Sequence, residues 1–315
     1  MTALPHRRLG SSGLDVSLFS LGSWRTFERI PRDQGLAVMR AARDAGITFL
    51  DDARYNDETG NAPIPTGWSE VVFGELFRDT GWERDSVVVA NKLWWEFWPE
   101  QSAAAELDGS LGRMGLDHID LIYTMQPPDG LAIADLVAAV SQLVASGRAR
   151  AWGVGNWTAE ALTEAVAAAR SLGAPLPAAA QLPYSLVRAD WVRDPAMEAV
   201  LADADIGLVA SYVLAGGTLT GKYLSGESGR ADRDESAAAV AGKRRAAALV
   251  DLAREWDVAP AALAFAFALD HPRLCSVLFG ATRPEQVLEN VDSLNVFNSL
   301  DKDQLARLEE LAASD

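Results

Sequence analysis

Eight short β-branched runs alternate with longer, alanine-rich amphipathic segments, and this pattern predicts an α/β fold, a (β/α)8 barrel preceded by an N-terminal β-hairpin. Helical crossovers return the chain to the same end of the sheet after every strand, so successive strands pair in parallel. No Gly-x-Gly-x-x-Gly follows the first strand, and no linker or shift in composition divides the 315 residues. Both observations argue against two doubly wound domains and for one barrel over 1–315.

The hairpin is RRLGSSGLDVS, with Ser11, Ser12 and Gly13 at its turn. Residues 16–23 form the first barrel strand and 31–45 its helix. ITFLDDA is the second strand, and SEVVFGELFRDTG is a helix opened by Ser69 with Glu70 in its first turn. SVVVANKL is the third strand, followed by PEQSAAAELDGSLGRMG as a helix with Pro99 at its start. IDLIYT is the fourth, with a helix over 133–145. RAWGVGN is the fifth, and the next helix takes Thr158 as its N-cap. PAAAQLPYS, IGLVASYV and CSVLFGA complete the strands, with a short helix over 197–204 and final helices over 284–294 and 301–312. Between the last two strands, residues 224–242 are rich in small and charged types. They read as a long loop at the barrel mouth, placed to close over a ligand.

Composition narrows the function. The formal net charge of −16 repels phosphate backbones and disfavours nucleic-acid binding. No apolar run is long enough to span a bilayer, and MTALPHRRLG lacks the apolar core of a secretory signal. Cys275 is the one cysteine, and His6, His118 and His271 are widely spaced, so neither a disulfide framework nor a metal site is expected. These features predict a cytoplasmic protein whose partner is a small molecule.

Barrel active sites sit at the C-terminal ends of the strands. That rule selects Asp51, Asp52 and Tyr55 after the second strand and Lys92 on the third. It also selects Asn156 on the fifth, Gln181 and Tyr184 on the sixth, and Ser211 and Tyr212 on the seventh. A phenol is a weak acid at neutral pH, and a nearby ammonium lowers its pKa while a carboxylate holds the ammonium in place. From spacing alone, an equal alternative is a structural Asp51–Lys92 ion pair with Tyr55 as a loop aromatic. Tryptophan clusters after the third strand in KLWWEFWPE, where Trp94 and Trp95 are candidates to line an aromatic or apolar substrate pocket. An equal alternative is that half of these aromatics simply anchor loops to the barrel rim.

RRLGSSGLDVS, LGSW, LDDA, ANKL, IDLIY, WGVGNW, QLPYS, LAGGTLTGKY and GATRPEQVLEN occur in order along the chain, and in this series it resembles the aldo-keto reductase superfamily over its whole length. The resemblance implies an Asp, Tyr, Lys and His tetrad. Asp51 and Lys92 match directly. Tyr55 follows Asp51 by four positions where the family has five, which puts Asn56 at the literal position; a loop one residue shorter would still deliver Tyr55. The histidine position holds Met125, which neither titrates nor donates a strong hydrogen bond, unless Gln126 or Tyr123 substitutes.

The resemblance also implies a dinucleotide site. Ser23, Asn156 and Gln181 would contact the nicotinamide, with Gly155 standing where serine is usual. The stacking aromatic aligns with Ser211, so Tyr212 or Tyr184 would have to compensate. Leu214, Gly216, Thr220 and Lys222 match the pyrophosphate loop, and Gly280, Thr282, Arg283, Gln286, Glu289 and Asn290 the adenosine site. Arg283 suits a 2′-phosphate, which favours NADPH over NADH. Trp24 matches the substrate wall. The implied activity is hydride transfer between NADPH and an aldehyde, ketone or alcohol. The absent histidine keeps two others open: altered chemistry such as C=C reduction or a redox-neutral step, or cofactor-sensing binding like that of potassium-channel β subunits.

Overall fold

The computed structural model describes residues 4–222 and 237–313. Two strands, β1 (His6–Arg8) and β2 (Asp15–Ser17), form the antiparallel hairpin, with Gly13 in the left-handed conformation at its turn. Eight parallel strands close the barrel: β3 (Phe19–Gly22), β4 (Phe49–Asp51), β5 (Val88–Leu93), β6 (Ile119–Thr124), β7 (Ala149–Gly155), β8 (Ala179–Pro183), β9 (Gly207–Ser211) and β10 (Leu274–Phe279), with β10 returning to β3.

The helices are α1 (Arg32–Asp44), α2 (Trp68–Thr80), α3 (Ala103–Met114), α4 (Ile133–Ala145), α5 (Ala159–Leu172), α6 (Asp190–Arg193), α7 (Pro195–Asp203), α8 (Ala237–Glu255), α9 (Pro260–Leu269), α10 (Pro284–Ser299) and α11 (Lys302–Ala313). Thr158 caps α5 by accepting from Ala161 N–H. Two expected starts move. The hydroxyl of Ser69 donates to the Ala53 carbonyl while α2 begins at Trp68, and α3 begins at Ala103 behind Ser102, not at Pro99. The sequence reading placed no helix between the last two strands, yet α8 and α9 stand there. Segment PAALAFAFAL of α9 is apolar on every side and buried, so it has no amphipathic period to read. The lid expected over 224–242 lies mostly outside the described residues. Among the described residues no helix is long and apolar enough to cross a membrane.

Strand alternation sorts the barrel into two cores. Outward residues such as Phe19, Leu50, Val89, Ile122 and Trp152 pack under the helices. Inward residues such as Phe49, Val88, Ala90, Leu121, Tyr123 and Ala179 fill the lumen, where Leu9, Leu14 and Val16 of the hairpin join them and seal one end. Two residues further along the same inward faces come Asp51 after Phe49, Lys92 after Ala90 and Gln181 after Ala179. These candidate site residues are thus the top layer of the barrel's own packing.

On the outside, His271 packs edge-on to Tyr184 at 5.2 Å between ring centres. Burial lowers its pKa to about 4, with Arg193 and Arg273 adding to the effect. A depressed folded-state pKa favours the neutral ring, so this site is at full stability above about pH 6.5 and loses stability as pH falls towards 4. His271→Gln is therefore expected to flatten the dependence of the urea midpoint on pH between 7 and 4. An unchanged slope would show that His271 does not contribute to it.

Candidate active site

At the barrel mouth Lys92 Nζ forms a buried ion pair with Asp51 Oδ1 and lies 3.3 Å from the Tyr55 hydroxyl. Gln181 Nε2 donates to the second Asp51 oxygen at 2.8 Å. The ammonium also sits 5.7 Å from the Tyr55 ring centre and 6.0 Å from that of Tyr123, its register partner on β6. A tight turn brings Tyr55 here: its N–H donates to the Ala53 carbonyl at 2.9 Å, which shortens the path from Asp51. Asn56 is exposed and directs its amide to Glu96 at 3.4 Å. Tyr55, not Asn56, meets the lysine.

The electrostatics differ from expectation in one respect. The sequence reading has the ammonium lowering the phenol's pKa, whereas burial, followed by the carboxylates of Asp51 and Asp52, pushes Tyr55 well above its ordinary value. Asp52 points outward from the strand and accepts from the Ser23 hydroxyl. Burial and the neighbouring Glu70 raise its pKa well above the usual carboxylate range.

Met125 lies on the same rim, where its sulfur would stand 2.7 Å from a Cβ placed on Gly155. The two departures from the family pattern are therefore one packing arrangement, because the thioether fills the space a serine side chain at 155 would need. The two proposed substitutes for the histidine are placed differently. The side-chain amide of Gln126 donates to the Asn156 carbonyl at 2.9 Å, and Tyr123 is fully buried in the lumen.

A cavity of about 470 Å³ opens beside Tyr55, lined by Trp24, Trp94, Asn56 and six charged residues: Arg25, Arg29, Arg54, Glu28, Glu58 and Glu96. This wall combines the aromatic rings expected of Trp24 and Trp94 with charged groups that the sequence reading did not single out. Trp94 meets Tyr55 edge-on at 6.0 Å. Trp95 does not line the cavity: it is 4% exposed, and its indole N–H donates to Thr124 Oγ1 at 2.8 Å. Trp157 anchors in the same way, to the Thr124 carbonyl at 2.9 Å. The sequence reading missed Arg54, Arg25 and their glutamates, which carry no motif.

The residues expected at the dinucleotide lie on β8 and β9, on the loops that follow β3, β7, β9 and β10, and at the start of α10. Asn156 has a left-handed backbone (φ 58°) and its N–H donates to the Gln181 carbonyl. Ser211 ends β9, and Tyr212, also left-handed at φ 58°, is exposed on the rim, so strand alternation no longer constrains where its ring points. Tyr184 cannot compensate for a stacking aromatic, since it is buried against Phe267 at 5.0 Å. Leu214 precedes a 3₁₀ turn over Ala215–Thr220 in which Gly216 and Gly217 are left-handed, and Lys222 follows it. Gly280 leads into the turn before α10. There the Gln286 side-chain oxygen accepts from Thr282 N–H at 2.8 Å and Arg283 N–H at 3.2 Å. Arg283 and Glu289 are exposed, while Asn290 is buried.

The family model described as the aldo/keto reductase family matches residues 19–313. A protein of Oryza sativa subsp. japonica named probable voltage-gated potassium channel subunit beta is 30% identical over 328 residues, covering 99% of this chain and 97% of its own. The L-glyceraldehyde 3-phosphate reductase of Escherichia coli (strain K12) is 30% identical over 312 residues, covering 93% and 88%. With the buried Asp51–Lys92 pair and Tyr55 at the mouth of a closed eight-stranded barrel, these matches establish that the chain belongs to the aldo/keto reductase family of NAD(P)H-dependent oxidoreductases.

Proposed function

We propose that the protein is a cytosolic, NADPH-dependent reductase of small aldehydes or ketones with Tyr55 as its proton donor. The observation that carries this reading is the Tyr55 hydroxyl 3.3 Å from an ammonium that Asp51 holds in place. The residues present fit a dinucleotide. Asn156 and Gln181 offer amides to a carboxamide, the left-handed Gly216 and Gly217 leave the backbone open to close approach, and Lys222 and Arg283 supply charge for phosphates. Arg283, exposed ahead of α10, suits a 2′-phosphate and supports NADPH over NADH. When bound, the nicotinamide supplies the hydride.

Tyr55 delivers a proton to the carbonyl oxygen. The phenol is protonated at neutral pH, and because burial and the nearby carboxylates make it a weaker acid, its donation depends on the Lys92 ammonium beside it. Lys92 then stabilises the phenolate left behind, and Asp51, secured by Gln181, keeps the ammonium aimed at it. Met125 contributes no hydrogen bond to the substrate oxygen. That deficiency, together with the relatives named as channel β subunits, favours a second reading: a cofactor-dependent binding protein with little turnover.

Tyr55→Phe and Lys92→Met are each expected to lower kcat by about 100-fold or more while NADPH still quenches tryptophan fluorescence. Asn56→Ala should retain most of the rate, and a loss confined to Asn56→Ala would reassign the proton donor. Tight NADPH binding without turnover on any carbonyl would favour the second reading.

The Met125–Gly155 contact predicts non-additive kinetics. Gly155→Ser alone should lower kcat/KM through overlap with the thioether. Combined with Met125→His, the same substitution should cost less or raise the rate, and additive effects would show that the two positions are independent.

A further inference from the structure

One carboxylate holds the residues on both sides of Tyr55. Glu96 Oε2 accepts from Arg54 Nη1 at 2.9 Å, and Glu96 Oε1 accepts from the Asn56 amide at 3.4 Å. Between these two ties the Tyr55 hydroxyl lies 3.3 Å from Lys92 Nζ. The backbone is fixed here as well: Asn56 pairs with Thr66 in an antiparallel bridge, and the Tyr55 carbonyl accepts from Gly67 N–H at 2.8 Å. With both neighbours tied, the direction in which the Tyr55 side chain leaves the chain is set.

Glu96 stands on a firm support. The N–H groups of Trp94 and Trp95 just before it donate to the buried Glu106 at 2.9 and 3.2 Å, and the Trp95 indole is anchored to Thr124. Phe97 just after it lies 5.1 Å from the Arg54 guanidinium, whose Nη1 also donates to Thr66 Oγ1 at 2.8 Å. The loop after β5 and the stretch that carries Tyr55 are thus joined at Glu96 and Arg54.

This junction answers a need created by the short path from Asp51. Tyr55 reaches the lysine one residue earlier than the family pattern has it, through a turn closed by the single bond from its N–H to the Ala53 carbonyl. One such hydrogen bond adds little on its own. A charge-assisted bond from a buried arginine on one side of Tyr55 and an amide on the other reinforce it. The carboxylates that chiefly weaken Tyr55 as an acid are Asp51, Asp52, Glu28 and Glu70. Glu96 reaches the phenol through its neighbours in the chain, by geometry.

Resting on the reductase reading above, we propose that Glu96 is a positioning residue for the proton donor, holding Arg54 and Asn56 so that the Tyr55 hydroxyl stays beside Lys92. The Arg54 tie is the stronger of the two, being shorter and charged on both sides.

NADPH oxidation would be followed on propanal and benzaldehyde with both reactants saturating. Glu96→Ala is expected to lower kcat by about tenfold, while the NADPH dissociation constant, read from tryptophan quenching, stays within about twofold of native. Introduced on top of Tyr55→Phe, the same substitution should cost less than about twofold, because the hydroxyl it positions is already gone. Glu96→Gln, whose side-chain oxygen still accepts from Arg54, should recover most of the rate. An unchanged kcat in Glu96→Ala, an equal loss in both backgrounds, or a Glu96→Gln variant as slow as Glu96→Ala would overturn the proposal. If NADPH binds but no carbonyl is reduced, the reductase reading fails by itself, and hydrogen exchange then decides. Faster exchange of the Tyr55 and Gly67 amides in Glu96→Ala, restored in Glu96→Gln, supports the positioning role, and rates equal to native overturn it.

Discussion

The ion pair between Lys92 and Asp51 is the constraint around which the mouth of this barrel is arranged. Both side chains are nearly inaccessible to water, and a buried charge is tolerated only where its partner and its remaining hydrogen-bonding capacity are met. Asp51 satisfies both demands, with one oxygen on the ammonium and the other on the Gln181 amide. Lys92 still has a donor to spare, and the Tyr55 hydroxyl is the group within its reach. The chemistry is therefore a consequence of how the pair is solvated. The protein supplies a phenol where water would otherwise be needed.

Placing a charged layer directly on a hydrophobic one demands steric room at the same level, and glycine provides it. Tyr123, level with Lys92, fits because a Cβ on Gly153 would come within 3.2 Å of its ring and press on the Ala179 carbonyl. One step higher, Gly155 yields to Met125 in the same way. Viewed from the lumen, β7 is a strip of glycines accommodating the large side chains of β6. Methionine at 125 is thus tied to its neighbour across the strand gap, because Gly155 leaves the space its sulfur fills.

Much of this was legible in the sequence, because strand alternation and end-of-strand position are local properties. Asp51, Lys92 and Gln181 are found by counting in twos along β-branched runs and stopping at the first polar residue. Tyr55 was legible as a candidate but not as the answer, since the turn at Ala53 that shortens its path depends on one backbone hydrogen bond. The division of the tryptophans also needed coordinates. Trp94 and Trp95 are neighbours in sequence, yet a left-handed backbone at Trp95 (φ 59°) sends its indole to Thr124 while Trp94 stays at the cavity. Arg54 was invisible for a different reason: a guanidinium in a loop reads as solvated, and its partners Thr66, Glu96, Phe97 and Glu106 are all distant in sequence.

Backbone strain follows the same map. Among the described residues, seven non-glycines have positive φ, and of these Arg25, Trp95, Asn156, Tyr212 and Ala215 lie on the loops just past β3, β5, β7 and β9. Such conformations persist only where surrounding structure over-determines them. Here the supports are visible: Arg25 is tied to Glu58 and rests on Trp24, Trp95 hangs from Thr124, and Asn156 is held between Gln181 and Gln126. Loops supported in this way set the shape of the mouth through contacts between residues distant in sequence.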